Sequence, residues 1–454
     1  AFNFCLLLAF RRGTTVSQLT QFCNGFYTNF PYLHPMSRDY NEDTVESATQ
    51  DVLEALQWTV VTAYTKETFG PNGLLGRETK SEVILRRYLR QALQKLNPGL
   101  PETAYDQTIE ALEQKSADKT LARINKEKYK LLKDGVEVSF TNAAGELEKP
   151  RLKVFDFDNF ENNHFLAVRQ LEIVGELYPR RPDIVGFVNG IPLVFFELKA
   201  HSKGLRNAFI ENITDYKDTI PHAFHCNAFI ILSNGTDAKV GTVTSPFKYF
   251  LDWKRITEEE EGIVSLDTML RGTCAKENLM DIFENFLLFD DSGGDVVKIM
   301  AKNHQFIGVN KVIDKAQSIE ELQGKLGVFW HTQGSGKSYS MVFIAQKIHR
   351  KFGGAYTFLI VVDRSELERQ LYDTFTAVGA TTGKEVVAKS RDHLRELLKE
   401  NHRYVFTLIH KFSIDPTKES EYPEITDRKN IIVISDEAHR TQAGTFARNM
   451  RFHG

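Results

Sequence analysis

Two sets of residues in this chain can do phosphate chemistry, and they follow one another in a fixed order. The first is Asp183 with Glu197-Leu198-Lys199. Phosphodiester hydrolysis needs a divalent cation on hard oxygen ligands and a donor or positive charge where charge develops. Asp183 and Glu197 can supply the ligands, and Lys199 can orient a water or steady the charge. In an extended strand Glu197 and Lys199 face one side while Phe196 and Leu198 face the other, into a core. The tripeptide pattern alone says little, because Glu113-Gln114-Lys115 also fits it on a helical stretch where the pair would diverge. Placement on a hairpin with an upstream Asp is what distinguishes Glu197-Leu198-Lys199. A surface ion pair at a strand end is the plain alternative. Arg180-Arg181, just ahead, are either contacts to DNA phosphates or solvated loop residues.

The second set is Thr332, Gln333, Gly334, Ser335, Gly336, Lys337 and Ser338, about a hundred residues before Asp436-Glu437-Ala438-His439. A strand-like run ends there and a helical run begins. Glycines then let backbone N–H groups face a phosphate, the helix N-terminus favours an anion, Lys337 reaches the outer phosphates and Ser338 ligates Mg²⁺. Asp436 holds Mg²⁺ through water and Glu437 positions the attacking water. The cofactors expected are therefore ATP and Mg²⁺. Gln305, ahead of the loop, is a candidate adenine contact or a capping amide.

The elements that must hold these residues can be read from period and punctuation. A helix is expected from near Glu42, with further helices over 81–96 and from near Glu102 to Gln114. Residues 136–200 turn strand-like, and Asn189-Gly190 between two apolar runs marks a hairpin whose turn needs positive φ. A buried strand after Asn227 closes a first domain near residue 250. Residues 275–322 read as helical, and from Leu326 short β-rich runs alternate with helices, as in a doubly wound parallel sheet. The expected division is a leader over 1–39, a nuclease domain over 40–250, a helical connector over 251–298 and an ATPase domain over 299–454. The fold class is α/β.

With 454 residues, 42% of them apolar and 26% charged, the chain has room for two or three cored domains. No apolar run approaches the ~20 residues that span a bilayer, and Arg11-Arg12 follow the apolar start instead of preceding it, unlike a signal peptide. The 4 cysteines are scattered without a metal or disulfide spacing, which fits a reducing cytoplasm. A net charge of −3 and a pI of about 6.5 leave any nucleic-acid binding to local basic surfaces.

With both sets located, the chain resembles the restriction (R) subunit of type I restriction-modification enzymes. The likeness runs from about Glu42 to Gly454 through SEVILRRYLRQALQKLNPGLP, LLKDGVEVSF, RRPDIVGFVNGIPLVFFELK, ILSNGTDAKVGT, FWHTQGSGKSYSM, VVDRSELERQL, TLIHKF and ISDEAHR. It implies a PD-(D/E)xK nuclease built on Asp183, Glu197 and Lys199, with Glu46 as the added helix acid. Tyr216 matches a Gln-x-x-x-Tyr element in which Asn212 replaces Gln, weakening the part of Asn212. It also implies a RecA-like superfamily 2 motor, consistent with His331 where the usual loop has Gly. Asp363, Arg364, Gln370 and Lys411 would couple nucleotide to DNA, and His439 would relay nucleotide state. The implied partners are double-stranded DNA and the methyltransferase and specificity subunits. The implied activity is that of a type I site-specific deoxyribonuclease. Family members continue into a second RecA-like domain, so the chain is expected to be a fragment or truncated product that binds ATP weakly and does not translocate. Two other readings are a type III restriction or DNA-repair helicase-nuclease, of which the order of the sites disfavours type III, and a non-catalytic, nucleotide-gated docking module.

Overall fold

The computed structural model describes residues 3–10, 41–116, 118–176, 178–332, 334–381, 386–415, 417 and 421–436. It is a mixed α/β protein whose chain divides into two compact units. The described part of one runs over 41–289 and 293–303; the other holds 3–10, 290–292 and the described residues from 304 onward.

The first unit opens with the helix Glu42–Ala55. Asn41 accepts hydrogen bonds from the Thr44 N–H at 2.9 Å and the Thr44 hydroxyl at 2.7 Å. Glu42 and Asp43 occupy the first turn, where acidic groups suit the positive end of the helix dipole. Val45, Ala48, Val52 and Leu53 form its buried face.

The sheet of this unit runs in the order Ala238–Gly241, Phe229–Ser233, Ile191–Leu198, Ile184–Val188, Phe165–Arg169, Thr59–Thr62. Ile191–Leu198 is antiparallel to Ile184–Val188 and parallel to Phe229–Ser233, and all of its residues are buried. Burial on both faces explains an apolar run without alternation. The expected hairpin turn is present, with φ of 50° at Asn189 and 80° at Gly190. The Asn189 amide fixes the turn by donating to Val154 O at 2.8 Å and Asn163 Oδ1 at 2.9 Å.

Three local expectations change. The helix expected over 81–96 begins only at Arg86, because the Leu85 N–H is held by Gly190 O of the hairpin turn at 2.9 Å. The run LKVFDF pairs only over Arg151–Leu152; Asp156 then accepts the backbone N–H groups of Asp158 and Asn159 and turns the chain. The stretch 275–322 is not continuously helical. Helices Lys276–Asn285 and Asn303–Gln317 flank the strands Leu287–Asp290 and Val297–Met300, which pair with each other across a turn in which Gly294 has φ 91°.

The sheet of the second unit runs Lys325–Thr332, Asn3–Phe10, Ile431–Ser435, Thr357–Val362, Tyr404–Leu408, Val386–Val387. The last four are mutually parallel, as the alternating pattern implies. Asn3–Phe10, read from sequence as part of a leader, instead runs antiparallel between Lys325–Thr332 and Ile431–Ser435.

Candidate active site

In the first unit the hairpin brings the expected residues together. Asp183 ends its approach just before Ile184–Val188, and its Oδ2 accepts the Leu198 N–H at 2.6 Å. The Lys199 ammonium donates to Glu197 Oε1 at 2.7 Å and to Glu42 Oε1 at 3.0 Å. The surface ion-pair alternative does not hold, because the Glu197 and Lys199 side chains are only 1% and 9% exposed. Asn212 also donates to Glu197 Oε1 and lies 3.4 Å from the Tyr216 hydroxyl. Asn212 belongs to a π-helical turn, Ala208–Ile213, continued by the helix Thr214–Thr219. Such turns commonly mark functional positions. Asn212 thus takes a fuller part than its departure from Gln implies.

The helix Glu42–Ala55 supplies two carboxylates four residues apart. Glu46 is buried and accepts the Gln170 amide at 2.6 Å and Arg169 at 3.3 Å. Glu42 reaches Lys199. Sequence reasoning singled out Glu46 alone and passed over Glu42, Arg169 and Gln170; the i, i+4 spacing of Glu42 and Glu46 was the signal available.

The electrostatics follow from crowding acids in a buried place. Burial pushes the Asp183 carboxyl up to about 7, with Glu46 and Glu42 adding to the shift and Lys199 opposing it. Burial and the Asp183 charge push Glu197 up to about 8. For Lys199 burial acts downward, but the Glu197 charge and the hydrogen bonds to Glu197 and Glu42 outweigh it, so the ammonium form is favoured. Burial, then the Glu197 and Asp183 charges, raises Tyr216 and keeps it neutral. Glu197 Oε2 is buried with no hydrogen-bond partner. An acceptor left in that state costs free energy unless a cation or donor meets it. The pair Asp183 and Glu197 therefore fits a divalent cation. Among the described residues no group of three His, Cys, Asp or Glu could hold a metal. An ion on these two carboxylates would complete its shell with water and phosphate oxygens, a habit of Mg²⁺.

In the second unit the strand Lys325–Thr332 leads into the loop and the helix Lys337–Phe352 leads out. Gly334 and Gly336 have φ of 77° and 96°, a region that disfavours any side chain. Ser335 closes the turn, its hydroxyl donating to Thr332 O at 2.7 Å. Lys337 Nζ lies 3.3 Å from Asp436 Oδ1, joining the loop to the end of Ile431–Ser435. Ser338 lies in the first turn of the helix. Gln333 and Glu437 fall outside the described residues, as does His439. Gln305 is 3% exposed, and its amide nitrogen donates to Gly336 O at 2.9 Å and Ser340 Oγ at 3.0 Å. Through these bonds it braces the loop. Lys411 is likewise committed, to Glu368 at 3.3 Å and to Ala388 O.

Comparison with known proteins bears on both units. Residues 39–249 match the family described as type I restriction enzyme R protein N terminus (HSDR_N), and residues 304–453 match the SWI2/SNF2 ATPase family. The type I restriction enzyme HindI endonuclease subunit of Haemophilus influenzae is 38% identical over 425 residues, covering 89% of this chain and 39% of the relative. The chain belongs with the R proteins of type I restriction enzymes. A putative R-protein relative, the MjaIXP endonuclease subunit of Methanocaldococcus jannaschii, is 32% identical over 418 residues, 83% of this chain and 38% of its own length. The chain spans about two fifths of the length of these relatives. Each match carries one site: Glu42 to Tyr216 in the first, Gln305 to Asp436 in the second. No helix among the described residues is long and apolar enough to cross a membrane.

Proposed function

We propose that this chain is the nuclease and first motor portion of a type I restriction subunit, which couples ATP-dependent movement along duplex DNA to Mg²⁺-dependent double-strand cleavage away from the recognition site. The first unit is a PD-(D/E)xK nuclease and the second a RecA-like superfamily 2 domain, with methyltransferase and specificity subunits supplying the target. The reading rests above all on the buried Glu197 carboxylate, one oxygen held by Lys199 and Asn212 and the other without a partner beside Asp183.

The residues divide the work. Asp183 and Glu197 are the metal ligands, and a bound Mg²⁺ supplies charge neutralisation and a water of lowered pKa. Lys199, kept protonated by Glu197 and Glu42, stabilises negative charge developing on the phosphate. Asn212 and Tyr216 hold the Glu197 carboxylate in place, and Glu46 fixes Arg169 and Gln170 at the neighbouring strand end. In the second unit Gly334, Ser335 and Gly336 shape the phosphate cradle with Thr332, Gln333 and Gln305. Lys337 exchanges Asp436 for a nucleotide phosphate, Ser338 and Asp436 hold Mg²⁺, and Glu437 positions water.

The test is cleavage of supercoiled plasmid with Mg²⁺ and ATP by the chain together with its methyltransferase and specificity partners. Loss of cutting in Asp183→Ala and in Lys337→Ala supports the coupled reading. Undiminished cutting by Asp183→Ala overturns the nuclease assignment.

A further inference from the structure

Arg180 and Arg181 stand side by side ahead of Asp183, yet their surroundings differ. Arg180 is neutralised, its guanidinium forked onto both oxygens of Asp215, one contact at 2.9 Å. Arg181 is exposed, and among the described residues no carboxylate pairs with it. Its guanidinium instead lies 4.0 Å from the centroid of the Tyr64 ring.

Both partners are set by the sheet that carries the site. Tyr64 follows Thr59–Thr62, which pairs in parallel with Phe165–Arg169, and Ala63 N–H continues that ladder to Arg169 O at 2.9 Å. One residue further, Gln170 N–H reaches Asp183 O at 2.8 Å. Tyr64 and Arg181 are thus built at the sheet end that holds Asp183. The turn presenting Tyr64 is anchored from beneath. Glu67 N–H bonds Ala63 O at 2.8 Å, and the Glu67 carboxylate is gripped by the wholly buried Arg77 side chain at 2.7 and 2.5 Å. Pro182 and Asp183 are buried while Arg181 is exposed, so the chain passes from the surface straight into the site.

We infer that Arg181, held over the Tyr64 ring, is the phosphate contact that seats the DNA backbone beside the Asp183–Glu197–Lys199 site. This rests on reading that site as a phosphodiester hydrolase. The chemistry favours it on two grounds. The cations inside the site are already spent on carboxylates, Lys199 on Glu42 and Glu197 and Arg169 on Glu46, so a DNA phosphate seated outside it calls for a further positive group. An exposed guanidinium kept over the Tyr64 ring, with no carboxylate on it among the described residues, also has its fork of N–H donors available to a phosphate.

The experiment is binding of a fluorescein-labelled duplex to the full chain in Ca²⁺ across a salt series, beside plasmid cleavage in Mg²⁺ with the partner subunits. Arg181→Ala should weaken binding about tenfold at low salt and make the log–log salt dependence shallower by about 0.9, the value for one phosphate contact. Tyr64→Ala should weaken binding less, with its slope unchanged, and Tyr64→Phe should behave as wild type. Arg151→Ala, which removes one exposed positive charge elsewhere on the unit, should change neither. An Arg181→Ala protein indistinguishable from Arg151→Ala overturns the inference, as does a wild-type chain that does not bind the duplex. If Lys199→Ala still cuts while Arg181→Ala keeps its shallower slope, the hydrolase reading falls and the contact stands. If Lys199→Ala stops cutting and Arg181→Ala matches Arg151→Ala, the contact falls and the hydrolase reading stands.

Discussion

The two sites solve opposite problems with the same few residue types. Around Asp183 and Glu197 the protein buries three carboxylates, Glu46, Asp183 and Glu197, against Lys199 and Arg169, and Lys199 is shared between the part-exposed Glu42 and Glu197. Around Gly334 and Gly336 it shapes a loop with backbone at positive φ and holds one lysine on Asp436. The first is a closed set of side chains bonded to one another; the second is a loop shaped by glycine backbone. A buried cage perturbs the proton affinities of its members. The resolved shifts follow this: Asp183 and Glu197 are strongly raised.

The contrast is broken most sharply by reciprocal substitutions. Lys199→Ala should lower Mg²⁺-dependent cleavage by about 10³-fold, the scale of losing a preorganised charge, and leave nucleotide binding unchanged. Lys337→Ala should do the reverse for nucleotide affinity while Mg²⁺ still stabilises the first unit. Calorimetric titration with an ATP analogue, run with thermal unfolding in Mg²⁺, checks both, and loss of both properties in either variant breaks the division.

A smaller effect is expected at the residue that links the first helix to the cage. Glu42→Gln should reduce cleavage about tenfold by loosening the hold on Lys199, with the Mg²⁺-induced rise in Tm retained because Asp183 and Glu197 remain. A vanished Tm response would make Glu42 a ligand instead of a positioning residue.

The pH dependence sharpens the electrostatic half of the comparison. Unfolded Asp and Glu lose their protons near pH ~4, whereas Asp183 and Glu197 hold theirs to about 7 and 8 in the fold. Between those values the folded chain binds more protons than the unfolded one. Stability therefore falls as pH rises through the window and levels off above it. A divalent cation needs both carboxylates ionised. The Mg²⁺-induced rise in Tm should accordingly be small at pH 6 and larger at pH 8.5. An equal rise at both, or one that survives in Asp183→Asn/Glu197→Gln, counts against metal binding there.

The smallest effect concerns the loop. Gln305→Ala removes the side-chain donor to Ser340 Oγ and one of two donors to Gly336 O, which keeps the Ser340 N–H, at about 1 kcal/mol, and should weaken nucleotide binding several-fold with adenine selectivity intact. Loss of selectivity between adenine and guanine nucleotides would restore Gln305 as a base contact.

Much of both sites was legible because the informative features are local. Asn189-Gly190 determines a hairpin whose register brings Asp183 to Leu198, and the glycines of the loop announce positive φ without reference to anything distant. The helix Lys337–Phe352 and the parallel strands likewise carry their own period. Less legible were the elements that a distant contact cuts short, such as the helix that waits until Arg86 because Leu85 is tied to Gly190.

By itself the sequence determined which residues are chemically equipped, the order of the two sites, the hairpin and the loop, since each depends on neighbours a few positions apart. Tertiary structure alone decided that Lys199 is caught between Glu197 and a Glu42 lying 157 positions away, that Asn212 shares Glu197, and that Gln305 braces Gly336. It also decided that Asn3–Phe10 enters the second sheet. These are contacts between segments that no local spacing relates, and burial supplies their selectivity: a charge or amide taken from water must find a partner, and only the folded chain defines which one is within reach.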